Sequence, residues 1–557
     1  MVNAPQQSTE RDRRADDDLG ANGRRDAAHL RSAVRWATGQ QVVSMSVMLG
    51  TYAVHVHPDL TPLGARDLNL RATQAGLHAL GVEWFEVRGR DDRASTLGVR
   101  ASDRDRVLRG IRSLLLRTHG YAIAAGSRRR STITRILAPS NTLQWETLRE
   151  ANVIRLVWFR TEPTHSLVYG PDASCDVELW SFDKDAGNLL APRPNRCAQE
   201  VVAARPMVSA HRADFTRLAS GRWGRGNAAL GMTMSREEFV HDSPDDVRFP
   251  VDLVYTWVDG QDPAWLERRA KLDASTHHRE ASNAARYLQR DELRYSLRSA
   301  FMFLPWVRHI YLVTDRQRPH WLRQDSDRVS VIDHSSIFTD ASHLPTFNSH
   351  AIETQLHHIE GLSEHFLYLN DDMLIGRPLT PQKFFHPGGL TRFFPSPAQV
   401  NMGSPSPADP PTTAAARNNR RLLEERFQTT LFHKMKHAPY AMRRSVLYEI
   451  ENTFPEAYRR TSASRFRSPE DISIASSLQQ YYSYNSGRSL PGSLSYQYLA
   501  LDFPDLQERF VRLLHRRDTD AFCLNDGDSQ ASEVEAQRET LHKFLEAYYP
   551  IAAPWEK

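Results

Sequence analysis

The residues best suited to chemistry are two adjacent carboxylates that follow an apolar run. Phe366–Leu369 is followed directly by Asn370, Asp371 and Asp372. Neighbouring carboxylates repel each other unless they share a cation. Mg²⁺ prefers hard oxygen ligands from one or two carboxylates and from substrate phosphates. The pattern predicts a site for Mg²⁺ or Mn²⁺ that also binds phosphate. The alternative is an exposed strand end in which Asp371 caps the next turn.

Two further polar residues stand at predicted junctions. Asp259 follows a strand-like run and precedes Gly260, which permits close approach of a ligand. An ordinary Asp-Gly turn is the alternative. His437 stands two residues before Pro439, at the predicted entrance of a helix, where its imidazole could act as a general base near neutral pH. A surface histidine without a role is the alternative.

Two more positions could bind anions or metal. Arg467 precedes Ser468, and Ser468 or a neighbour could cap a following helix, so that an anion would meet both the guanidinium and the helix N-terminus. A surface arginine is the alternative. Asn525 and Asp526 end the apolar run that contains Cys523, and they could contact metal or phosphate. Taken alone, this pair is a weak signal.

The elements that must position these residues alternate between strand and helix periodicity after residue 250. The predicted strands are 251–258, 309–314, 329–332 and 366–369, and the predicted helices are 291–303 and 351–359. This order predicts an α/β fold with a mostly parallel sheet and helices on both faces. Ligands of such sheets bind at the carboxyl ends of the strands. Asp259 and Asn370–Asp372 are therefore expected at one site.

The rest of the chain is divided by composition. We predict a disordered tail at 1–28, a separate N-terminal α/β or α+β domain at 29–240, an α/β part of the catalytic domain at 248–394, a mobile loop at 395–413, a mainly helical part at 414–530 and a C-terminal helix at 531–557. Helices are expected at 418–435, 442–451 and 472–482 within the helical part. The N-terminal domain contains a helical run at 107–116 and a strand-like run at 153–159, and no pattern indicates its role.

Composition excludes several classes of protein. The 557 residues are 40% hydrophobic and 25% charged, which is typical of a folded protein of several domains. The net charge of +4 argues against a nucleic-acid partner. Three distant cysteines argue against a disulfide framework. There is no signal-peptide pattern, and the most apolar early run, 42–56, is too short to span a bilayer. We expect a cytoplasmic protein, with peripheral association at the inner face of the membrane left open.

Four blocks, taken in chain order, resemble the Stealth family of sugar-phosphate transferases. This family includes bacterial capsule-polymerising enzymes and the animal enzyme that adds N-acetylglucosamine-1-phosphate to lysosomal glycoproteins. The blocks are Asp252-Leu-Val-Tyr-Thr-Trp-Val-Asp-Gly260, the run from Arg290 to Asp372, the run from His437 to Asp471, and Cys523-Leu-Asn-Asp526. The resemblance covers about residues 248 to 527 and leaves the N-terminal domain unassigned.

The resemblance implies transfer of a sugar-1-phosphate from a UDP-sugar to a hydroxyl of a glycan acceptor, in capsule or exopolysaccharide synthesis. The products are a phosphodiester and UMP. It also implies roles: Asp371, Asp372 and Asp526 hold the metal, Arg467 neutralises a phosphate oxygen, His437 takes the acceptor proton, and Asp259, Arg294, Asn370 and Asn525 bind the donor. The animal enzyme has large modules where this chain has only 395–413, which favours a glycan over a protein acceptor.

Two other functions remain open from the sequence. A metal-dependent glycosyltransferase would use the same two aspartates but would release UDP. A non-catalytic glycan-assembly protein would release no nucleotide. The polar residues of all four blocks are present, which argues against a decayed site.

Overall fold

The computed structural model describes residues 21–47, 50–125, 135–219, 230–272, 290–406, 409–525 and 534–557. The chain divides into two units, and the division falls between Ser243 and Pro244. Predicted features that lie outside the described ranges include the tail up to residue 20 and Asp526.

The N-terminal unit combines helices with two sheets. Its helices are Ala21–Ala37, Pro62–Ala79, Arg104–Arg117 and Thr142–Glu146. One sheet has the strand order Gln41–Val47, Gly50–Val56, Phe159–Thr161, Val168–Tyr169. The other contains Glu200–Val202, Asn188–Leu190, Cys175–Asp183, Ser95–Arg100, Trp84–Val87, Met232–Ser235 and Val208–His211 in that order, with Tyr121–Ala125 and Val153–Val157 joined to it through Cys175–Asp183. The strand predicted at 153–159 is thus broken, because its two halves belong to different sheets.

The second unit carries the predicted site, and its elements are numbered here in chain order. Its strands are β1 Val251–Thr256, β2 Ile310–Thr314, β3 Val329–Asp333, β4 His365–Asn370, β5 Met373–Ile375, β6 Thr391–Phe393, β7 Pro395–Gln399, β8 His433–Met435, β9 Tyr440–Arg443, β10 Ser489–Pro491, β11 Tyr496–Ala500 and β12 Ala521–Asn525. Its α-helices are α1 Pro263–Ala270, α2 Glu292–Phe303, α3 Ser349–Glu353, α4 Pro411–Phe427, α5 Arg444–Thr453, α6 Pro455–Ala463, α7 Gln479–Asn485, α8 Leu506–Arg516 and α9 Val534–Tyr548.

A mostly parallel sheet forms the core of this unit. Its strand order is β3-β2-β1-β4-β9, in which β1 to β4 are parallel and β9 is antiparallel at the edge. The central strands are apolar and buried along nearly their whole length, as is typical of parallel strands that are covered on both faces.

The chain reverses its direction of travel across this sheet between β1 and β4. It runs outward from β1 to β2 and β3, and it then returns to place β4 on the other side of β1. In open α/β sheets the ligand crevice lies outside the carboxyl ends of the strands at such a switch point. The topology therefore directs attention to the residues that follow β1 and β4.

The structure corrects several predictions for the later part of the chain. The predicted mobile loop at 395–413 contains strand β7, paired with β8, and the first turn of α4. The helix predicted at 418–435 ends at Phe427, because Gln428 adopts a left-handed conformation with φ 56°. The part predicted to be mainly helical also contains five strands, β8 to β12. These strands escape periodicity because they have only three to five residues, and β7 and β10 also carry proline.

Within the described ranges, no helix is both long enough and apolar enough to cross a membrane. The three cysteines are free thiols; Cys175 and Cys523 are buried, and Cys197 is exposed.

Candidate active site

A cleft of about 170 Å³ opens at the carboxyl ends of β1 to β4. Its lining comes from the residues that follow these strands, together with α1, the region of α3 and one arginine from a later loop. These residues are Thr256, Trp257, Val258, Trp265, Asp315, His334, Thr346, Phe347, Ser349, Ile352, Asn370, Asp371 and Arg467. The cleft therefore lies where the sheet topology predicts a ligand crevice.

Arg467 is brought to this cleft by a loop anchored on a buried carboxylate. Asp471 is fully buried, and it accepts hydrogen bonds from the Ser468 backbone N–H at 2.9 Å and from Asn348 Nδ2 at 2.8 Å. The Arg467 guanidinium donates to Ser349 Oγ at 2.8 Å. Asp471 thus joins the loop to the segment before α3. The helix N-terminus predicted beside Arg467 is wrong, because the next helical segment begins only at residue 474.

Strand register places His437 beside Asp372. The antiparallel pairing of β9 with β4 sets Tyr440 opposite Tyr368. Continued by three positions, this register brings His437 opposite Asp371 and beside Asp372. The helix entrance predicted for His437 is wrong, since the residue lies in the tight turn between β8 and β9.

Asp372 has a partner on each carboxylate oxygen. Its Oδ1 lies 3.3 Å from His437 Nε2. Its Oδ2 accepts a hydrogen bond from Cys523 Sγ at 3.1 Å. Cys523 reaches this position because β12 pairs with β5, with Cys523 opposite Met373. Strand pairing thus positions both neighbours of the Asp372 carboxylate, His437 and Cys523.

The electrostatics of this cluster favour an ion pair. Burial disfavours the charged imidazole of His437, but the charge of Asp372 and then that of Glu353 outweigh it, so the pKa of His437 is raised. Burial likewise works against ionisation of Asp372, but His437 and Cys523 outweigh it and lower its pKa. Burial, reinforced by the Asp372 charge, raises the pKa of the Cys523 thiol well above its usual value. Cys523 therefore stays protonated at neutral pH.

The adjacent aspartates face different surroundings. Asp371 lines the cleft, whereas Asp372 contacts His437 and Cys523.

A second carboxyl, Glu292, lies close to Asp371. Burial, with the negative charge of Asp371, raises the pKa of Glu292 to about 7. The sequence prediction did not include Glu292, although it directly follows the Arg290-Asp291 pair of the second block.

A further carboxylate that sequence reasoning missed is Glu353, at the end of α3. It is buried, accepts a hydrogen bond from Tyr368 Oη at 3.4 Å, and accepts another from the Ala475 backbone N–H at 3.3 Å. Its charge contributes to the raised pKa of His437. Glu353 is the one carboxylate of the predicted helix 351–359, and this was the available signal.

Other predicted donor-binding residues are placed elsewhere. The Arg294 side chain forms an ion pair with Glu556 at 2.6 Å, and among the described residues it does not line the cleft. The Asp259 carboxylate accepts the Gln261 backbone N–H at 2.9 Å, as in the turn alternative, while its neighbours Trp257 and Val258 line the cleft. Asn525 ends β12 and is not a lining residue of the cleft either. Asp526 lies outside the described residues.

Two sets of groups bear on metal binding here. One ligand atom each from Asp372, His437 and Cys523 lies within 4.8 Å of the others. This mixture of oxygen, nitrogen and sulfur suits zinc and similar ions better than Mg²⁺. Hard oxygen donors for Mg²⁺ or Mn²⁺ are instead offered at the cleft by Asp371 and Asn370. The residues present therefore fit a divalent ion at Asp371.

Comparison with known proteins identifies the family. Four regions described for the Stealth protein match: conserved region 1 at residues 249–276, conserved region 2 at 286–393, conserved region 3 at 436–484 and conserved region 4 at 511–557. The chain is 49% identical over 504 residues to an exopolysaccharide phosphotransferase of Streptomyces coelicolor, covering 90% of this chain and 84% of that protein. The chain belongs to the Stealth family. It is an enzyme, a phosphotransferase.

More distant relatives were also found. The exopolysaccharide phosphotransferase CpsY of Mycobacterium tuberculosis is 38% identical over 413 residues, covering 74% of each chain. A crystal structure of a galactosyltransferase is 10% identical with a TM-score of 0.29, covering 54% of this chain and 96% of that chain. The Stealth resemblance seen in the sequence is confirmed, and Asp371, Asp372, His437 and Arg467 all lie within the matched regions.

Proposed function

We propose that this Stealth protein transfers a sugar-1-phosphate from a UDP-sugar to a hydroxyl of a glycan acceptor in exopolysaccharide synthesis. The product is a phosphodiester, and UMP is released. The observation that carries the proposal is the Asp372–His437 pair next to a cleft that presents both Asp371 and Arg467. Relatives named exopolysaccharide phosphotransferases support the reaction class.

His437 is suited to accept the proton of the acceptor hydroxyl. Its Nε2 lies at ion-pair distance from Asp372 Oδ1, so the carboxylate favours a proton on Nε2 and leaves the Nδ1 lone pair as the base. Nδ1 lies 3.5 Å from Tyr440 Oη, a loose contact that an acceptor hydroxyl can replace. The new bond joins the acceptor oxygen to the β-phosphorus, the bond from that phosphorus to UMP breaks, and the proton moves to Nδ1.

Arg467 is suited to neutralise the negative charge that develops on the phosphate. A guanidinium can donate two parallel hydrogen bonds to two phosphate oxygens, which fixes their orientation as well as their charge. Its bond to Ser349 holds the group in place before substrate binds. Preorganised charge of this kind is the main protein contribution to phosphoryl transfer.

We propose that Asp371, with Asn370, holds a divalent ion, Mg²⁺ or Mn²⁺, against the pyrophosphate of the donor, with Asp372 next to it. When bound, the ion would neutralise charge on the pyrophosphate and on departing UMP. Burial is the main cause of the raised pKa of Glu292, and the negative charge of Asp371 adds to it; a cation at Asp371 would offset that second contribution.

The released nucleotide tests the proposal. The purified full chain is incubated with a panel of UDP-sugars, Mg²⁺ and a phosphoglycan acceptor, and UMP and UDP are separated by chromatography. UMP production that is lost in H437A and in metal-stripped enzyme with excess EDTA supports the proposal. UDP production identifies the glycosyltransferase alternative, and release of neither nucleotide from any UDP-sugar favours the non-catalytic one.

A further inference from the structure

His334 is a buried polar side chain in the cleft that the proposed reaction does not use. It directly follows β3, is 5% exposed, and lines the cleft. Neither ring nitrogen has a hydrogen-bond partner within the part of the chain that the structure describes. Buried donors and acceptors without partners are rare and costly in native proteins. A ligand in the cleft would supply the missing partner.

The imidazole of His334 is neutral in its surroundings. Burial lowers its pKa to about 4, against the charges of Asp315 and Asp333, which act in the opposite direction. A neutral imidazole offers one N–H donor and one nitrogen acceptor. His334 therefore suits a ligand group with uncharged hydrogen-bonding atoms, and it does not suit a phosphate, which a cation would bind better.

The position of His334 along the cleft agrees with this chemistry. The sheet order places His334 after β3, Asp315 after β2, Thr256–Val258 after β1 and Asn370–Asp371 at the end of β4. Three strand spacings of about 4.8 Å separate the two ends, or roughly 14 Å. The phosphates lie near Asp371 and Arg467 in the proposed reaction, so the part of the donor at the β3 end is its nucleoside.

The walls between these ends favour a flat, planar group. Trp257, Trp265 and Phe347 line the cleft, and the rings of Trp265 and Phe347 pack edge to face at 5.3 Å. Aromatic surfaces bind nucleobases by stacking. Asp315, next to His334, is held by Arg268, whose Nε donates to Oδ2 at 3.0 Å. The β3 end is thus a fixed pocket with aromatic walls, the neutral imidazole of His334 and a carboxylate whose charge is paired with Arg268.

We propose that His334 hydrogen-bonds the base of the donor nucleotide and so helps to select uridine. This inference rests on the proposed function, since it requires that the donor is a uridine nucleotide. The uracil edge carries carbonyl acceptors on either side of an N–H donor, and a neutral imidazole can pair with one of them. Cytosine replaces one carbonyl with an amino group and lacks that N–H. A contact to the carbonyl or the N–H that cytosine lacks therefore discriminates between the two bases, whereas a contact to the carbonyl that both bases share does not.

Nucleotide binding by three variants tests the inference. H334F removes both polar atoms and keeps a planar ring that is somewhat larger, H334Q keeps a donor and an acceptor, and H320F makes the same change at an exposed histidine that does not line the cleft. Affinities of the full chain for UMP and CMP are measured by titration calorimetry, with the fluorescence of the cleft tryptophans as a second signal.

We expect H334F to weaken UMP binding by about tenfold, as expected for one lost hydrogen bond, and to reduce the preference for UMP over CMP. H334Q should recover part of the UMP affinity and part of the preference for UMP over CMP. H320F should have the same two values as the unchanged protein. The melting temperature of ligand-free H334F should not fall, because no protein hydrogen bond is lost; a merely structural histidine would give a lower melting temperature instead.

Three outcomes would overturn the inference. One is an unchanged UMP affinity in H334F, the second is an unchanged ratio of UMP to CMP affinity, and the third is weaker binding of UDP-sugar with normal binding of UMP, which would place His334 at the transferred sugar. If the unchanged protein binds neither UMP nor UDP, the proposed uridine donor itself is wrong, and that result is distinguishable from the other three.

Discussion

Among its described residues, the second unit contains two clusters of three possible metal ligands that combine histidine with a carboxylate, and the two clusters behave differently. In the first, Asp372 lies between His437 and Cys523. In the second, Glu451 Oε2 lies 2.8 Å from His357 Nε2 and 3.3 Å from His358 Nε2. Both sets bring ligand atoms together closely enough to hold a metal ion. Residue types and distances alone therefore do not separate them.

The two clusters differ in the burial of their histidines and in the contacts of the histidine ring nitrogen that does not face the carboxylate. The His357 side chain is fully buried, and burial lowers its pKa to about 4 despite the hydrogen bond to Glu451. Its Nδ1 lies 3.3 Å from Tyr458 Oη, and His358 Nδ1 lies 3.1 Å from the Ile337 carbonyl oxygen. Every ring nitrogen in this cluster is thus occupied by the protein.

The His437 side chain, by contrast, is 35% exposed and its pKa is raised. Its Nδ1 has only the loose contact to Tyr440. A histidine that keeps a nitrogen for substrate can move a proton, whereas one with both nitrogens occupied joins two segments of the fold. The Glu451 cluster joins the 356–358 turn to α5.

The largest expected effect comes from removing the partly exposed imidazole of His437. H437A should lower kcat by about 100- to 10,000-fold, the usual contribution of a general base. The melting temperature should stay within a degree or two of the unchanged protein. Rates of UMP release and thermal unfolding are the measurements. A loss of activity that tracks a loss of folding would mean that His437, like His357, is structural.

The next largest effect is expected at Asp372, the ion-pair partner of His437. D372N should lower kcat by about 100-fold, because a main electrostatic partner is lost. It should also move the acidic limb of the pH–rate profile to lower pH. In the unchanged protein the Asp372 charge raises the pKa of His437, and only the deprotonated base is active; without that charge the pKa falls and the base persists at lower pH.

A pH–rate profile between about pH 5 and 9 measures this shift. An unmoved limb would show that His437 is not the titrating base. A lower melting temperature with activity retained would instead support the turn-capping alternative for this pair of aspartates.

Much of this site could be predicted from the sequence, and the remainder depends on tertiary pairing. Adjacent aspartates after an apolar strand and the order of the four blocks are local signals, and they led to Asp371, Asp372, His437 and Arg467. The parallel sheet followed from alternating periodicity. Arg294 was placed at the donor only by resemblance, and its ion pair with the distant Glu556 is not visible in local sequence. Glu353 and Cys523 join the His437 cluster through packing and strand register.

A smaller effect is expected at Arg467. R467K keeps the charge but loses the two-pronged donor geometry, so it should lower kcat by about tenfold with little change in folding. R465K is a matched control, because Arg465 belongs to the same loop and donates to the Ser342 carbonyl oxygen at an exposed position. Equal effects of the two changes on kcat would remove Arg467 from the phosphate site.

A substitution in the cluster of His357, His358 and Glu451 should change the stability of the fold more than its activity. H357A leaves Glu451 with a partner missing and opens a buried site, so the free energy of unfolding should fall by about 1–3 kcal/mol. Because both ring nitrogens of His357 contact Glu451 and Tyr458, and neither is left for substrate, kcat of the folded fraction should change by less than about threefold. Urea unfolding and UMP release measure the two quantities. Loss of bound metal or a large fall in kcat in the folded variant would mean that this cluster has a functional role.

A small effect on kcat is expected at Cys523, and it distinguishes a hydrogen-bond donor from a metal ligand. The thiol has a pKa well above its usual value, because burial and the Asp372 charge oppose ionisation, so it donates to Asp372 as S–H. A metal ligand must instead be a thiolate. C523S keeps a donor and should retain kcat within about twofold, whereas C523A loses one hydrogen bond and should lower kcat by about three- to tenfold. The metal content of the purified protein should be the same in both variants. If C523S loses both a bound transition metal and most of its activity, the Asp372–His437–Cys523 cluster is a metal centre, and His437 cannot be the free base that distinguishes it from His357.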